Sequence, residues 1–542
     1  MPSFDSKRWL TIVVRFLLSL YLSFVFVGKT LIDLCYLKRV ILAATGRIYP
    51  YLLYLLIFAL AFAAFYLALC WLSRHACSLF QVHIKMGRWP AGLFTAVFLA
   101  VLLYYLAQFC LCYPGGISTD NTDQWNQVHT FALNDHHPAF HTLLLWGLTR
   151  LYDSYSFIIL IQLILLASGI ACLAATLRAW GIPSWAVTGT VLLLALGEQT
   201  QDILFYAWKD TAMSLLVLWL LTPVTHIFLS KGKWLNKPLH WIGTAILLAC
   251  ITLVRHNAVL FTLPFLVLLF CTYGNARKSS FLAGVLCILL VLGVKGPLYH
   301  ALKVTPADDS YSEMIGLPMT ILSSVYSQEP ESLSEEAYQF MSSLAEQETF
   351  RQAYTFGDYN SVKRHFGINQ EKITQASPSP WKLLGMAWDT VRRETLLSAM
   401  SVVELTDMVW EPIWEEVVYF GVGHGFQLGD SDLTIHPVLR DLCSDVRDVV
   451  RGATRNPAFV VLTSQLGILI LAMMLCWYIS QREHGFTGLW LILPILLYNF
   501  GTMLLLCGDD ARFFHFNCFA AYPIAILLLS RSASEPAESI IA

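Results

Sequence analysis

Charge is what this sequence has least of. Only 13% of its 542 residues are Asp, Glu, Lys or Arg, against about 25% in soluble globular chains. That scarcity, with a mean hydropathy of +0.59, excludes an ordinary soluble domain and points to a membrane protein. A disulfide framework is also missing. Most of the 13 cysteines fall inside apolar runs (Cys70, Cys172, Cys250, Cys271, Cys287, Cys476), and only Cys443 lies in the large polar segment. No CxxC pair with zinc-site spacing occurs. Lys7 and Arg8 precede an apolar stretch, but no small-residue cleavage site follows, so a retained first helix is expected rather than a signal peptide. No internal repeat is visible, and nucleic acid is not an expected partner.

Long hydrophobic runs are present instead. Twelve approach the roughly 20 residues needed to cross a bilayer, near 10–28, 48–71, 90–112, 155–178, 184–200, 211–229, 239–254, 257–274, 280–298, 457–480, 486–507 and 513–530. The expected fold is an all-α polytopic membrane protein of about 12 transmembrane helices. Residues 1–298 form an N-terminal transmembrane module whose first large outer loop covers 113–137. Residues 299–456 are polar, with helical periodicity at Trp381 to Met400, and are long enough for a mainly helical outer-face domain. Residues 457–542 carry the last three helices and a short tail.

The charges that do occur are sorted. With the loop after residue 112 outside, the inner connections hold Arg74, Lys85, Arg88, Arg178, Lys231, Lys233, Lys237, Arg277, Lys278, Arg482 and Arg531. The outer ones hold Asp120, Asp123, Asp135, Asp153, Glu198, Asp202, Asp210, Asp509 and Asp510. The segment 301–460, also outside, carries 23 of the 37 acidic residues. The positive-inside rule supports this orientation: a multi-pass cell-membrane protein with its acidic face extracytoplasmic. Lys29, Lys38, Arg39 and Arg47 run against it, and an amphipathic interfacial helix at 30–45 would accommodate them.

Four outer connections carry groups able to do chemistry. The first has Asp120, Asp123 and Trp125, then Asp135, His136, His137 and His141. Tyr113 to Gly116 reads as a turn; Asp120 and Asp123 share a helix face; and Pro138 suits a first helical turn, setting His137 and His141 one turn apart. A solvated connection with a capping aspartate is the plainer alternative. The second has Glu198, Asp202, and Trp208-Lys209-Asp210 opening a helix. Asp210 there also suits the helix dipole, whereas Lys209 near membrane depth defaults to function. The third, Arg255-His256-Asn257, reads as an anion contact or as a snorkelling arginine. The fourth is Asp509-Asp510-Ala511-Arg512-Phe513, where Arg512 contacts an anion or pairs with Asp510. No one of them decides the function; their shared depth and side carry the argument.

With Asp120 or Asp123 in the first outer loop, His137-Pro138 opening a helix, Asp210 two crossings later and Arg512-Phe513 entering the last helix, the chain resembles the GT-C superfamily of integral-membrane glycosyltransferases. That superfamily includes protein O-mannosyltransferases, aminoarabinose transferases and Rgt-type enzymes of bacterial polysaccharide assembly. The likeness covers roughly residues 90–270 and the last helix; the His-Pro element here continues Ala139-Phe140, and no Asp-Glu pair stands in the first loop. The resemblance implies a GT-C-like bundle and a polyprenyl-phosphate-sugar donor reaching the site laterally from the lipid bilayer. The acceptor would be a cell-envelope glycan, lipid or protein. Asp120, with Asp123 as second choice, would be the general base. Lys209, Arg255 and Arg512 would stabilise the leaving lipid phosphate. His136, His137, Asp210 and Asn257 would position donor or acceptor. No cofactor is expected to be required; His136, His137 and His141 offer ligands to a divalent cation, but their spacing is no recognised metal signature. The alternative class is a transporter or flippase of a lipid-linked saccharide, which usually shows repeats and mid-membrane charges.

Overall fold

An apolar run in lipid has no water to satisfy its backbone, so it must close its own hydrogen bonds as helix. In the computed structural model, which describes residues 6–28, 49–75, 79–83, 85–306, 310–363, 365–374, 378–412, 438–505 and 510–532, every expected apolar run is mainly helical over its described residues. The proposed interfacial stretch 30–45, with Lys29, Lys38, Arg39 and Arg47, lies outside the described residues, as does Asp509.

The elements that position the site begin with α1 (Ser6–Ser23), α2 (Tyr49–His75), β1 (Phe80–Val82) and α3 (Ala91–Leu111). The first large loop folds into α4 (Thr119–Thr130) and α5 (Ala139–Thr149). Then come α6 (Tyr155–Ala179), α7 (Ser184–Leu196), the short α8 (Glu198–Ile203), α9 (Lys209–Leu229), α10 (Pro238–Val254), α11 (Val259–Thr272) and α12 (Arg277–Gly293). The polar segment supplies α13 (Gly316–Gln328), α14 (Glu335–Leu344), α15 (Pro380–Arg393), α16 (Thr395–Trp410) and α17 (Arg440–Thr454). The chain closes with α18 (Pro457–Ser464), α19 (Leu466–His484), α20 (Leu489–Leu505), α21 (Phe516–Leu528) and β2 (Ser530–Ser532).

Eight helices among the described residues are long and apolar enough to cross a membrane. A ninth span is complete if α18 and α19, bent by 68°, count as one. The other three expected crossings, α7, α10 and α11, are 13, 17 and 14 residues long. Each falls short of a full bilayer width on its own. They are short because the chain breaks into turns there: Gly197 ends α7, and Arg255 in extended conformation separates α10 from α11.

The bundle has two chemically distinct ends. At one, β1 pairs in parallel with β2, His83 N–H donates to Trp180 O, Asn236 donates to Asn275 O and His484 bonds Ser530 O. Those contacts gather the turns that carry Arg178, Lys231, Lys233, Lys237, Arg277, Lys278 and Arg531. At the other end lie the starts of α4, α9 and α21 and the end of α10. Between the ends a continuous apolar core runs through Tyr105, Leu163, Leu218, Ile251, Phe265, Trp490 and Phe519. The polar segment builds a second core from Tyr311, Met319, Tyr326, Phe350, Tyr359, Leu383 and Leu397. From it α16 reaches back, setting Met408 and Val409 in the main core and Trp410 against the Phe24 ring.

Candidate functional site

The first loop is strapped to the α8–α9 connection by its glycines. Gly115 has φ +134°, a conformation that disfavours any side chain. Gly116 lies so close to Tyr206 that an added Cβ would meet its ring at 2.5 Å. Gly116 N–H donates to Phe205 O, while the Tyr155 hydroxyl donates to Gly116 O and accepts from Ala207 N–H. Two residues on, Ser118 caps α4 in a reciprocal capping box with Asn121 and accepts from the Trp208 indole at 2.7 Å. Asp120 and Asp210, each in the first turn of its helix, are thereby brought to one place, and the two helix dipoles favour their negative charge.

Arg512 stands between them. Its Nη1 donates to Asp120 Oδ2 at 2.9 Å, its Nε forms an ion pair with Asp510 Oδ2 at 2.7 Å, and Asp210 Oδ2 is 3.9 Å away. Asp210 forms a second ion pair with Arg255. The Arg255 Nε donates to Asn257, whose amide donates to Thr502, so Asn257 fixes the guanidinium rather than facing the opening. Arg255 lies over the Phe513 ring at 4.3 Å, and Arg512 over Trp208 and Phe513, both at 5.0 Å. Such faces hold a cation in place without neutralising it. Lys209 completes the group, its ammonium donating to His137 Nδ1 at 2.7 Å.

The cluster is buried at Asp210, whose side chain is 1% exposed, and partly exposed at Asp120, whose side chain is 22% exposed. Burial works against the charge of Asp120, but Arg512, then Lys209, holds its carboxyl below the usual carboxylate range. Burial and the adjoining Lys209 push His137 down to about 3. The ring is therefore neutral at physiological pH, and with Nδ1 accepting, its proton sits on Nε2 as a donor. Three carboxylates (Asp120, Asp210, Asp510) face three cations (Lys209, Arg255, Arg512), so the cluster is balanced until a charged ligand enters.

Seven of the nine residues singled out in the sequence thus share one cluster: Asp120, His137, Lys209, Asp210, Arg255, Asn257 and Arg512. The other two sit at its edge. Asp123 points one turn along α4, where its Oδ2 accepts from Gln127 at 2.8 Å. His136 packs edge-on to the His137 ring, centroids 4.7 Å apart. His141 turns inward to a buried Gln124–Thr142 pair. Sequence reasoning treated Asp510 only as a rival partner of Arg512; it is a member of the cluster. Tyr498, whose hydroxyl donates to Phe513 O beneath Arg255, went unnoticed because it lies inside an apolar run without local signal.

Glu198 and Asp202 belong to a different group. Asp202 pairs with Arg451 of α17 at 2.7 Å, and Glu198 lies 3.8 Å from Arg455. Burial, only partly offset by Arg451, pushes Asp202 up to about 6. Among the described residues no trio of His, Cys, Asp or Glu is disposed to hold a metal ion; the three carboxylates of the cluster converge on a guanidinium. Comparison with protein-family models, curated proteins and solved structures finds no match.

Proposed function

We propose that this chain is a membrane glycosyltransferase. It moves a sugar from a polyprenyl-phosphate-linked donor to a cell-envelope acceptor on the extracytoplasmic side, by a single inverting displacement in a GT-C-like bundle of twelve crossings. The observation that carries this is the cluster at one end of a membrane bundle. Four connections, up to 392 residues apart, supply a partly exposed carboxylate and three cations in contact or near it. A lipid-linked donor diffuses in the bilayer and presents its phosphate and anomeric carbon at that depth.

In this mechanism the acceptor hydroxyl attacks the anomeric carbon while its proton passes to Asp120. The carbon–oxygen bond to the phosphate breaks, and the lipid phosphate leaves with the electron pair. Arg512 holds Asp120 ionised before the donor arrives. As the phosphate draws Arg512 toward itself, Asp120 loses its partner and gains proton affinity, as a general base needs at that moment. Arg255, kept planar over Phe513 and anchored by Asp210 and Asn257, adds charge stabilisation at the leaving phosphate. The neutral His137 donates from Nε2, and Lys209 orients that ring. Asp123 is the weaker candidate for the base, since its carboxylate is occupied by Gln127 and has no cation beside it among the described contacts.

The test uses purified protein in nanodiscs, radiolabelled polyprenyl-phosphate sugars and an envelope fraction as acceptor. Wild type should move label into the fraction, and Asp120→Asn should lose about 10²–10⁴ of that rate, the usual contribution of a general base. Label that crosses a proteoliposome bilayer still attached to its lipid would make the protein a transporter instead.

A further inference from the structure

α17 has no part in that mechanism, yet it is the most sharply two-sided helix among the described residues. Leu442, Val446, Val449, Val450 and Ala453 recur at helical spacing along one face, and Arg447, Arg451 and Arg455 fall four residues apart along another. A soluble helix of this kind buries its apolar face. Here Leu442 and Val449 are 67% and 75% exposed.

Where the helix sits says what covers that face. Val438 N–H, just before α17, donates to Cys110 O at the end of α3, and the buried Cys443 packs beside Cys110. Cys110 continues, at i+7 and i+11, the α3 stripe that carries the exposed Leu103 and Leu99. In a multi-pass membrane protein that stripe faces lipid. From there α17 runs about 16 Å to Arg451, whose guanidinium meets Asp202 in α8. Both anchor points lie at the end of the bundle that holds the Asp120 cluster. The apolar face of α17 therefore prolongs the lipid-facing surface of α3 at the membrane boundary, and Arg447, Asp448, Arg451, Gly452 and Arg455 line an open shallow surface beside it.

We propose that α17 is an interfacial helix whose apolar face lies among acyl chains and whose arginine row takes the phosphate of a bilayer phospholipid. Arg451 is committed to the buried Asp202 and anchors the helix. Among the described residues Arg447 pairs with its sequence neighbour Asp448, and Arg455 with Glu198 at 3.8 Å. Both pairs involve exposed arginines and are weak enough for a phosphate to displace. Basic residues with an adjoining apolar face are the combination that binds anionic membrane surfaces. The inference rests on membrane insertion alone and stands or falls apart from the transferase mechanism. α8 joins the two sites physically: beside Asp202, its Thr200 hydroxyl bonds His515, three residues from Arg512.

The experiment places a photo-crosslinking residue at Leu442 or Val449 of the full chain in nanodiscs. Three bilayers are compared: phosphatidylcholine alone, with phosphatidylglycerol, and with polyprenyl phosphate. Phospholipid adducts at both positions are expected. Separately, phosphatidylglycerol binding by native mass spectrometry should weaken about 30-fold in Arg447→Gln/Arg455→Gln, a factor of about five for each arginine; this variant leaves the Arg451–Asp202 anchor intact. Adducts to protein alone would overturn the proposal, and so would adducts formed only with polyprenyl phosphate, which would make the row a donor site. Unchanged phosphatidylglycerol binding in the double variant would remove the arginine row from it.

Discussion

Arg255 and Asp210 illustrate how unequal two members of one cluster can be. Their ion pair is buried on both sides, so removing either partner leaves a charge in a dry place. Arg255→Met alone should destabilise the solubilised protein by about 3–5 kcal/mol, and the double change Arg255→Met/Asp210→Leu should recover much of that. Thermal unfolding in detergent measures both, and a double variant as unstable as the single one would contradict the assignment. Asp120 behaves differently, being partly open to solvent and held by an arginine that also has Asp510. Asp120→Asn should leave unfolding nearly unchanged while transfer is lost. Asp123→Asn should keep most of the transfer, because its carboxylate serves Gln127 within α4. Equal losses in both variants would return Asp123 to candidacy as the base.

At the scale of elements, the site depends on straps that the sequence shows only as turn residues. Tyr113-Pro114-Gly115-Gly116 was legible as a turn; that Gly116 must clear the Tyr206 ring was not, because nothing local links residues 90 apart. Gly116→Ala should cost about 1–3 kcal/mol through overpacking and lower transfer by shifting Ser118 and Asp120. In a Tyr206→Ala background the same Gly116→Ala change should cost little, and thermal unfolding of Gly116→Ala in both backgrounds separates a clash from a simple loss of glycine. The α8–α17 junction makes a pH-dependent contribution. The Asp202 carboxyl is raised in the folded state from 3.8 to about 6, chiefly by burial. Between those values the folded protein binds more protons than the unfolded chain, so this group's stabilisation is full below 3.8 and is lost as pH rises through about 6. Glu198 shifts in the same direction. The wild-type unfolding midpoint, measured relative to Asp202→Asn, should therefore fall from pH 4 to pH 6.5. A difference that is flat or rises over that range would show the carboxyl to be an ordinary paired one.

Over the whole molecule, apolar length and charge sorting made the helical membrane class readable from the first pass. Helix count was less legible: length thresholds cannot see that α10 stops at Arg255 or that α18 and α19 form a bent pair, since tertiary contacts set those breaks. The segment 299–456 gave up its helices but not its second core around Tyr326 and Phe350, which depends on pairings between distant short helices. The separation of basic and acidic turns onto opposite ends of the bundle sets a sidedness prediction. A tag inserted at Lys233 should be reached only from the cytoplasm, and one at Asp153 only from outside. Tags reached from the same side would dissolve the bundle polarity on which the proposed donor access depends.

One comparison bears on the proposed glycosyl transfer without needing the acceptor in advance. Envelope glycans and lipid-linked sugars are analysed by mass spectrometry in cells carrying the wild-type chain, Asp120→Asn at equal membrane abundance, or no chain. A sugar residue missing from one envelope product, with its polyprenyl-phosphate donor accumulating equally in the variant and in the deletion, is the expected result. A product present in the Asp120→Asn cells but absent from the deletion would remove Asp120 from the chemistry. Glycans and donors identical in all three would contradict glycosyl transfer by this protein.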